Sequence, residues 1–214
     1  MATRSHRLRV YLQAHREFVS ILVLFLVFRL TAVLVFKPGG YLGGMSDFGY
    51  YRLLLSFTNQ GYYPLVDFWV EYPPIFPWLL VALYRLSLLI PAWSQVGTWL
   101  NLLVSTFLAV VDAGNLIVLY ALARRLFRPQ RAVRLAWTYT ALLIPLLALF
   151  VGFDSLALLF LLLAALLTLD QRPVASGIAA GLGFMAGVTT SSLLESTSLP
   201  MSSLPQRIKF LAAT

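Results

Sequence analysis

Acid–base chemistry in this sequence must fall to its eight carboxylates. The only two histidines, His6 and His15, lie in a basic N-terminal arm, and there is no cysteine. Intramembrane Ser–His hydrolysis, His-ligated metal chemistry and thiolate metal sites are therefore excluded for this stretch of chain. Four carboxylates stand out by context. Asp47 sits in GGMSDFGYYR, a loop too rich in glycine to be held by its own helix. Partly shielded by a membrane surface and by aromatic rings, such a carboxylate gains affinity for a proton, as a general base requires. The plain alternative is a solvated loop aspartate. Asp67 and Glu71 flank an aromatic pair in YPLVDFWVEYPP, where they either take part in chemistry or simply cap and solvate an aromatic belt of Trp69, Tyr72 and Trp78. Asp154, in GFDSL, opens an apolar run, and a capping role alone would explain it.

What positions these groups is a membrane. The chain has 214 residues, 60% of them hydrophobic and only 11% charged, against about 25% charged in a soluble domain. Several apolar runs are long enough to cross a hydrocarbon core about 30 Å thick. The net charge of +8 does not point to nucleic acid, because the basic residues stand in short clusters between apolar runs, as on the cytoplasmic side of membrane proteins.

The expected architecture is all-α, a multi-pass transmembrane helical bundle of about five spans plus an outer surface helix. The arm with Arg4, Arg7, Arg9 and Arg16 stays cytoplasmic, and Phe18–Phe36 is a retained first span. Residues 37–72 then form an outer loop carrying Asp47, Asp67 and Glu71. Pro73, Pro74 and Pro77 argue against regular helix before about residue 77, and Pro91 ends it. The short stretch between is expected to lie on the outer surface. If it crossed instead, the densest basic cluster (Arg124, Arg125, Arg128, Arg131, Arg134) would face outward, against the positive-inside rule. Trp99–Ala123, Leu135–Val151, Ser155–Leu169 and Val174 to about Thr190 supply the other spans. The spacing Gly177/Gly181 and Gly183/Gly187 predicts close helix packing. Two ionisable residues fall inside spans, Arg29 and Asp112. Such groups either pair or line a cavity, so they form a structural pair or meet a substrate.

The ordered set of an outer loop with an early Asp47, Y-P-P at 72–74 opening a surface helix, a span containing Asp112, an inner basic turn and G-F-D-S-L at 152–156 resembles the GT-C superfamily of membrane glycosyltransferases. It is most similar to the bacterial mannosyltransferase-like members that use polyprenyl-phosphate sugars. The resemblance covers about residues 15–187. It implies transfer of a sugar, mannose foremost, from a polyprenyl-phosphate donor to a glycan, lipid or protein acceptor on the outer face. By the same resemblance Asp47 is the catalytic base and Asp154 helps shape the donor or acceptor site. Asp67 and Glu71 belong to the same outer face. Arg52 and Arg85 are the cations able to steady the departing phosphate, although Arg85 can also snorkel from the surface helix. No cofactor is implied beyond the lipid-linked sugar itself, though outer-face carboxylates could hold a divalent metal weakly.

Relatives carry a Lys shortly after the G-L-G-F-M stretch, where this chain has Gly187, and continue through further spans. Residues 1–187 are therefore expected to be the N-terminal part of such a domain. The Ser/Thr-rich residues 188–214 read as a disordered tail or a shifted frame. The alternatives are a fragment of a transporter or permease using Arg29 and Asp112 at mid-membrane, or a non-catalytic membrane subunit.

Overall fold

The computed structural model describes residues 13–35, 48–91, 97–142 and 153–187. Among them are seven helices and no strand: α1 Arg16–Val35, α2 Phe48–Asn59, α3 Ile75–Leu88, α4 Thr98–Leu126, α5 Pro129–Ala141, α6 Asp154–Leu169 and α7 Pro173–Ala186. The all-α expectation holds for these residues. Two helices, α1 with 20 residues and α4 with 29, are long and apolar enough to cross a membrane. Neither contains a proline, so nothing interrupts their hydrogen-bond ladders. α3, α6 and α7 are apolar but shorter, at 14, 16 and 14 residues. At about 1.5 Å per residue they reach roughly 21–24 Å, short of a core about 30 Å thick.

Several boundaries differ from those expected. α3 begins at Ile75, two residues before Pro77. A proline in the first turn is tolerated because the N–H it lacks would have no intrahelical partner there. The basic stretch after α4 is largely helical rather than a turn: α4 runs on through Arg124 and Arg125, and α5 starts at Pro129, with Pro in its first turn. The run expected as Leu135–Val151 is helical only to Ala141, with Leu142 extended, and 143–152 lie outside the described residues. α7 ends at Ala186 and Gly187 is extended.

The helix directions follow from which residues meet. His15 Nδ1 lies 2.9 Å from the Tyr120 hydroxyl, Phe18 stacks on Tyr120, and Arg29 bonds Asp112, so α1 and α4 are antiparallel. Asn115 Nδ2 donates to the Ser155 carbonyl at 2.9 Å and Arg125 pairs with Asp170, so α4 and α6 run parallel. The Thr168 and Ser176 hydroxyls meet at 2.7 Å across the tight α6–α7 corner, which makes that pair antiparallel. These directions match the alternation expected of the corresponding runs.

α4 is the hub. Its N-terminal half (Leu100, Val104, Leu108) packs on Tyr51, Leu55, Phe76 and Leu80 of α2 and α3. Further along, Ala113, Leu116 and Tyr120 meet Phe18, Ile21 and Phe25 of α1 and Ala132 and Ala136 of α5. Val111 joins Leu156, Ala157 and Ala186 of α6 and α7. The close approach of α4 and α6 occurs at Gly114, where an added Cβ would lie 3.2 Å from Leu159 Cδ1.

The expected close packing at Gly177 and Gly181 is not observed. Both are exposed, and an added Cβ would meet nothing within 4 Å. Four-residue spacing marks one face of a helix but not what that face touches; here it is Gly183, with Ala179 and Ala186, that is buried. The double change Gly177→Ala/Gly181→Ala is therefore expected to raise stability, by about 1 kcal/mol per site from helix propensity alone. A fall in melting temperature of the purified protein would show that these glycines are covered.

Candidate functional site

α2 and α3 lie side by side and run parallel, with partners at a nearly fixed offset. Tyr51 packs on Phe76 with ring centroids 5.0 Å apart, Asn59 Nδ2 donates to the Tyr84 hydroxyl at 2.6 Å, and Arg85 Nη2 donates to the Thr58 carbonyl at 3.2 Å. A parallel pair requires a return loop as long as the helices, and residues 60–74 are that loop. Its tip is held by the Asp67 carboxylate, which accepts the Tyr63 N–H at 2.7 Å. Tyr63 in turn stacks on Trp78, with centroids 5.9 Å apart.

At the start of both helices the aromatic residues form a knot. Phe76 lies 4.6 Å from Tyr72 and 4.6 Å from Phe153, and Tyr51 lies 5.9 Å from Phe153. Phe107 of α4 closes it 6.3 Å from Phe153. The knot joins three segments far apart in sequence: the start of α2, directly after Asp47; the Y-P-P corner, directly after Glu71; and the G-F-D-S-L corner, directly before Asp154.

The expected site residues fall as follows. Asp47 lies outside the described residues. Asp154 is the first residue of α6 and is exposed, with no side-chain cap bond at that helix end. Glu71 is exposed beside Tyr50, which packs 6.1 Å from Tyr72. Burial raises the pKa of the Tyr50 hydroxyl above the usual phenol range and the Glu71 carboxylate raises it further, so Tyr50 remains a neutral hydrogen-bond donor at neutral pH. Asp67 is exposed and its contact is structural, the loop bond just described. Arg85 is committed to the Thr58 carbonyl and to the Tyr63 hydroxyl, 3.4 Å away.

Arg52 is placed differently. It lines a cleft of about 500 Å³ between α2, α3 and the start of α4, with Ser56, Asn59, Tyr84, Ser87 and Trp99 among its polar neighbours and Leu55, Leu88 and Leu100 among the apolar ones. Its guanidinium reaches Gly97, where an added Cβ would lie 3.6 Å from Arg52 Nε. Gly97 has φ +89°, a left-handed conformation that glycine takes without strain. Asn59, Tyr84 and Trp99 were not legible as site residues, since only the parallel pairing of α2 and α3 brings the first two to the cleft and only the packing of the start of α4 on the end of α3 brings Trp99.

Arg29 and Asp112 resolve as a pair. Arg29 Nε donates to Asp112 Oδ2 at 2.6 Å, and the two side chains are 1% and 2% exposed. The Tyr139 hydroxyl of α5 donates to Asp112 Oδ1, and the guanidinium of Arg29 lies 3.4 Å above the Phe25 ring centre. Both oxygens of Asp112 are thus taken by the chain itself, while Arg29 Nη2 is buried without a hydrogen-bond partner among the described residues. Tyr139 was the missed member of this network: a tyrosine near the start of an apolar run gives no signal of its own.

Among the described residues no group of three or more His, Cys, Asp or Glu comes together where a metal ion could sit. No family model matches the sequence, and neither the curated proteins nor the solved structures contain a match to it.

Proposed function

We propose that this chain is part of a membrane glycosyltransferase that moves a sugar, mannose foremost, from a polyprenyl-phosphate donor to an acceptor hydroxyl on the outer face. In this reading α1 and α4 cross the membrane at full length, the run containing α5 and the shorter α6 and α7 complete the five spans by local thinning of the bilayer, α3 lies on the outer surface and the N-terminus is cytoplasmic. The observation that carries it is the convergence on one aromatic knot of the start of α2, which follows Asp47 in sequence, the Y-P-P corner after Glu71 and the G-F-D-S-L corner with Asp154, in a bundle whose α2 also supplies the Arg52 guanidinium to a cleft. The cleft is lined by apolar and hydrogen-bonding side chains together, as an amphipathic phosphate ligand requires.

The chemistry is a single displacement. Asp47 takes the proton from the acceptor hydroxyl as that oxygen bonds the anomeric carbon. The bond from that carbon to the phosphate oxygen breaks and its electron pair leaves with the phosphate. Arg52 steadies the charge that develops there through a charge-assisted hydrogen bond. Asp154 shapes the pocket for one of the two substrates. Arg85, held by Thr58 and Tyr63, positions the return loop rather than the phosphate.

Binding and transfer test the proposal separately. Arg52→Gln is expected to weaken binding of a polyprenyl monophosphate to the detergent-solubilised chain about tenfold, the equivalent of losing one charge-assisted bond. Asp47→Asn is expected to leave that binding intact and to abolish transfer from polyprenyl-phosphate mannose in membranes carrying the protein. Equal binding by wild type and Arg52→Gln would refute the cleft assignment, and undiminished transfer by Asp47→Asn would refute the base.

A further inference from the structure

At the end of the bundle opposite the aromatic knot, the α4–α5 corner presents exposed Arg124, Arg128, Arg131 and Arg134, and Arg172 stands exposed at the α6–α7 corner. Among the described residues the ion pairs are Arg29–Asp112 and Arg125–Asp170. Five guanidinium groups at this end thus have no ion-pair carboxylate among the described residues. Holding the chain's orientation needs positive charge only, and lysine would serve equally; this end uses arginine throughout. The guanidinium fork is the side chain suited to bidentate contact with phosphate.

α5 adds an independent observation. Its inner face, with Ala132, Ala136 and Tyr139, packs on α1 and α4. Arg131, Arg134 and Trp137 follow at three-residue spacing, which sets them in one line along its outer face. Trp137 is 48% exposed about one turn beyond the last arginine, and Leu135 is exposed on another side of the helix. Basic residues followed by an exposed indole are the pattern of a helix entering a bilayer, with cations at headgroup level and the indole just below.

We infer that the α4–α5 corner, through Arg124, Arg128, Arg131, Arg134 and Trp137, is a binding site for the phosphate headgroups of anionic phospholipids. A soluble acidic partner would account for the arginines but not for Trp137 and Leu135 lying exposed among them. The inference rests on the membrane placement proposed above and is independent of the glycosyltransferase chemistry.

The test uses the full chain reconstituted in nanodiscs holding equal amounts of phosphatidylglycerol and phosphatidylcholine, with the lipids that stay bound counted by native mass spectrometry. Wild type is expected to retain phosphatidylglycerol in preference. The triple variant Arg128→Gln/Arg131→Gln/Arg134→Gln is expected to lose about tenfold or more of that preference, since each basic residue near an anionic surface contributes measurably to attraction. Equal retention of the two lipids by wild type, or an unchanged preference in the triple variant, overturns the inference. So does displacement of phosphatidylglycerol by a soluble polyanion at equal phosphate concentration, because the corner would then be reading charge in solution. If the triple variant fails to insert, wild type suffices: its preference must fall as salt rises from low to high ionic strength, and a salt-independent preference counts against the arginines. Extraction of wild type from membranes by alkaline carbonate would instead remove the membrane placement itself, an outcome distinct from all the others.

Discussion

Asp112→Leu is expected to destabilise the protein by about 3–5 kcal/mol, while the double variant Arg29→Leu/Asp112→Leu recovers most of that loss. The asymmetry comes from what each change strands. With Asp112 gone, the Arg29 guanidinium stays in a site only 1% exposed with no counter-charge, and the Tyr139 hydroxyl loses its acceptor. With both charges replaced by apolar groups, the buried unpaired charge is gone and only the Tyr139 hydroxyl is still short of its acceptor, so the site between α1 and α4 becomes largely apolar packing beside Phe25. Removing only the phenol hydroxyl, as in Tyr139→Phe, leaves one carboxylate oxygen of Asp112 short of a donor and is a smaller defect, about 1–3 kcal/mol. Steady-state protein level in membranes and melting temperature in detergent are the readouts. A double variant whose loss equals the sum of the two single losses would show that Arg29 and Asp112 act independently, contrary to the 2.6 Å contact.

Phe76→Ala is the second change with a large expected effect, again about 3–5 kcal/mol, from lost transfer energy and the cavity left behind. Phe76 is 1% exposed and touches rings on three other segments: Tyr51 of α2, Tyr72 of the Y-P-P corner and Phe153 before α6. No other described residue ties those three together so directly, and truncating it should loosen the return loop as well as lower the melting point. Limited proteolysis within residues 60–74 is the sharper readout, because cleavage there should accelerate even where the helices persist. Phe76→Leu, which keeps most of the volume, is expected to cost well under half as much. A Phe76→Ala protein with wild-type melting and wild-type proteolysis would mean that the knot does not hold the corner.

The extent to which the sequence announced this structure varies by element for physical reasons. α1 and α4 were legible because uninterrupted apolar runs bounded by arginines leave few alternatives. Arg29 and Asp112 stood out as charges within those runs, but sequence left open whether they met each other, since that depends on the register between α1 and α4. The start of α3 was misplaced because proline was weighed as a helix breaker without its tolerance in the first turn. Gly177 and Gly181 of α7 were misread because periodicity names a face and not its neighbour. Asp67 and Arg85 were grouped with the site by their segment, yet each is engaged in holding the 60–74 loop, a contact that only the parallel path of α2 and α3 creates. Arg52 reaches the cleft by the same geometry.

That parallel path has an electrical consequence. Neighbouring helices usually run antiparallel, and the partial charges at their ends cancel. Here α2 and α3 begin together, and Phe153 brings the beginning of α6 to the same place. Three amino-terminal ends, each equivalent to about half a positive charge, face one small region. Their fields add, so the backbone alone makes this corner attractive to anions before any arginine is counted. In so apolar a chain, Glu71, four residues before α3, and Asp154, the first residue of α6, then have a common electrostatic reason to be there: a negative charge costs less beside these helix starts.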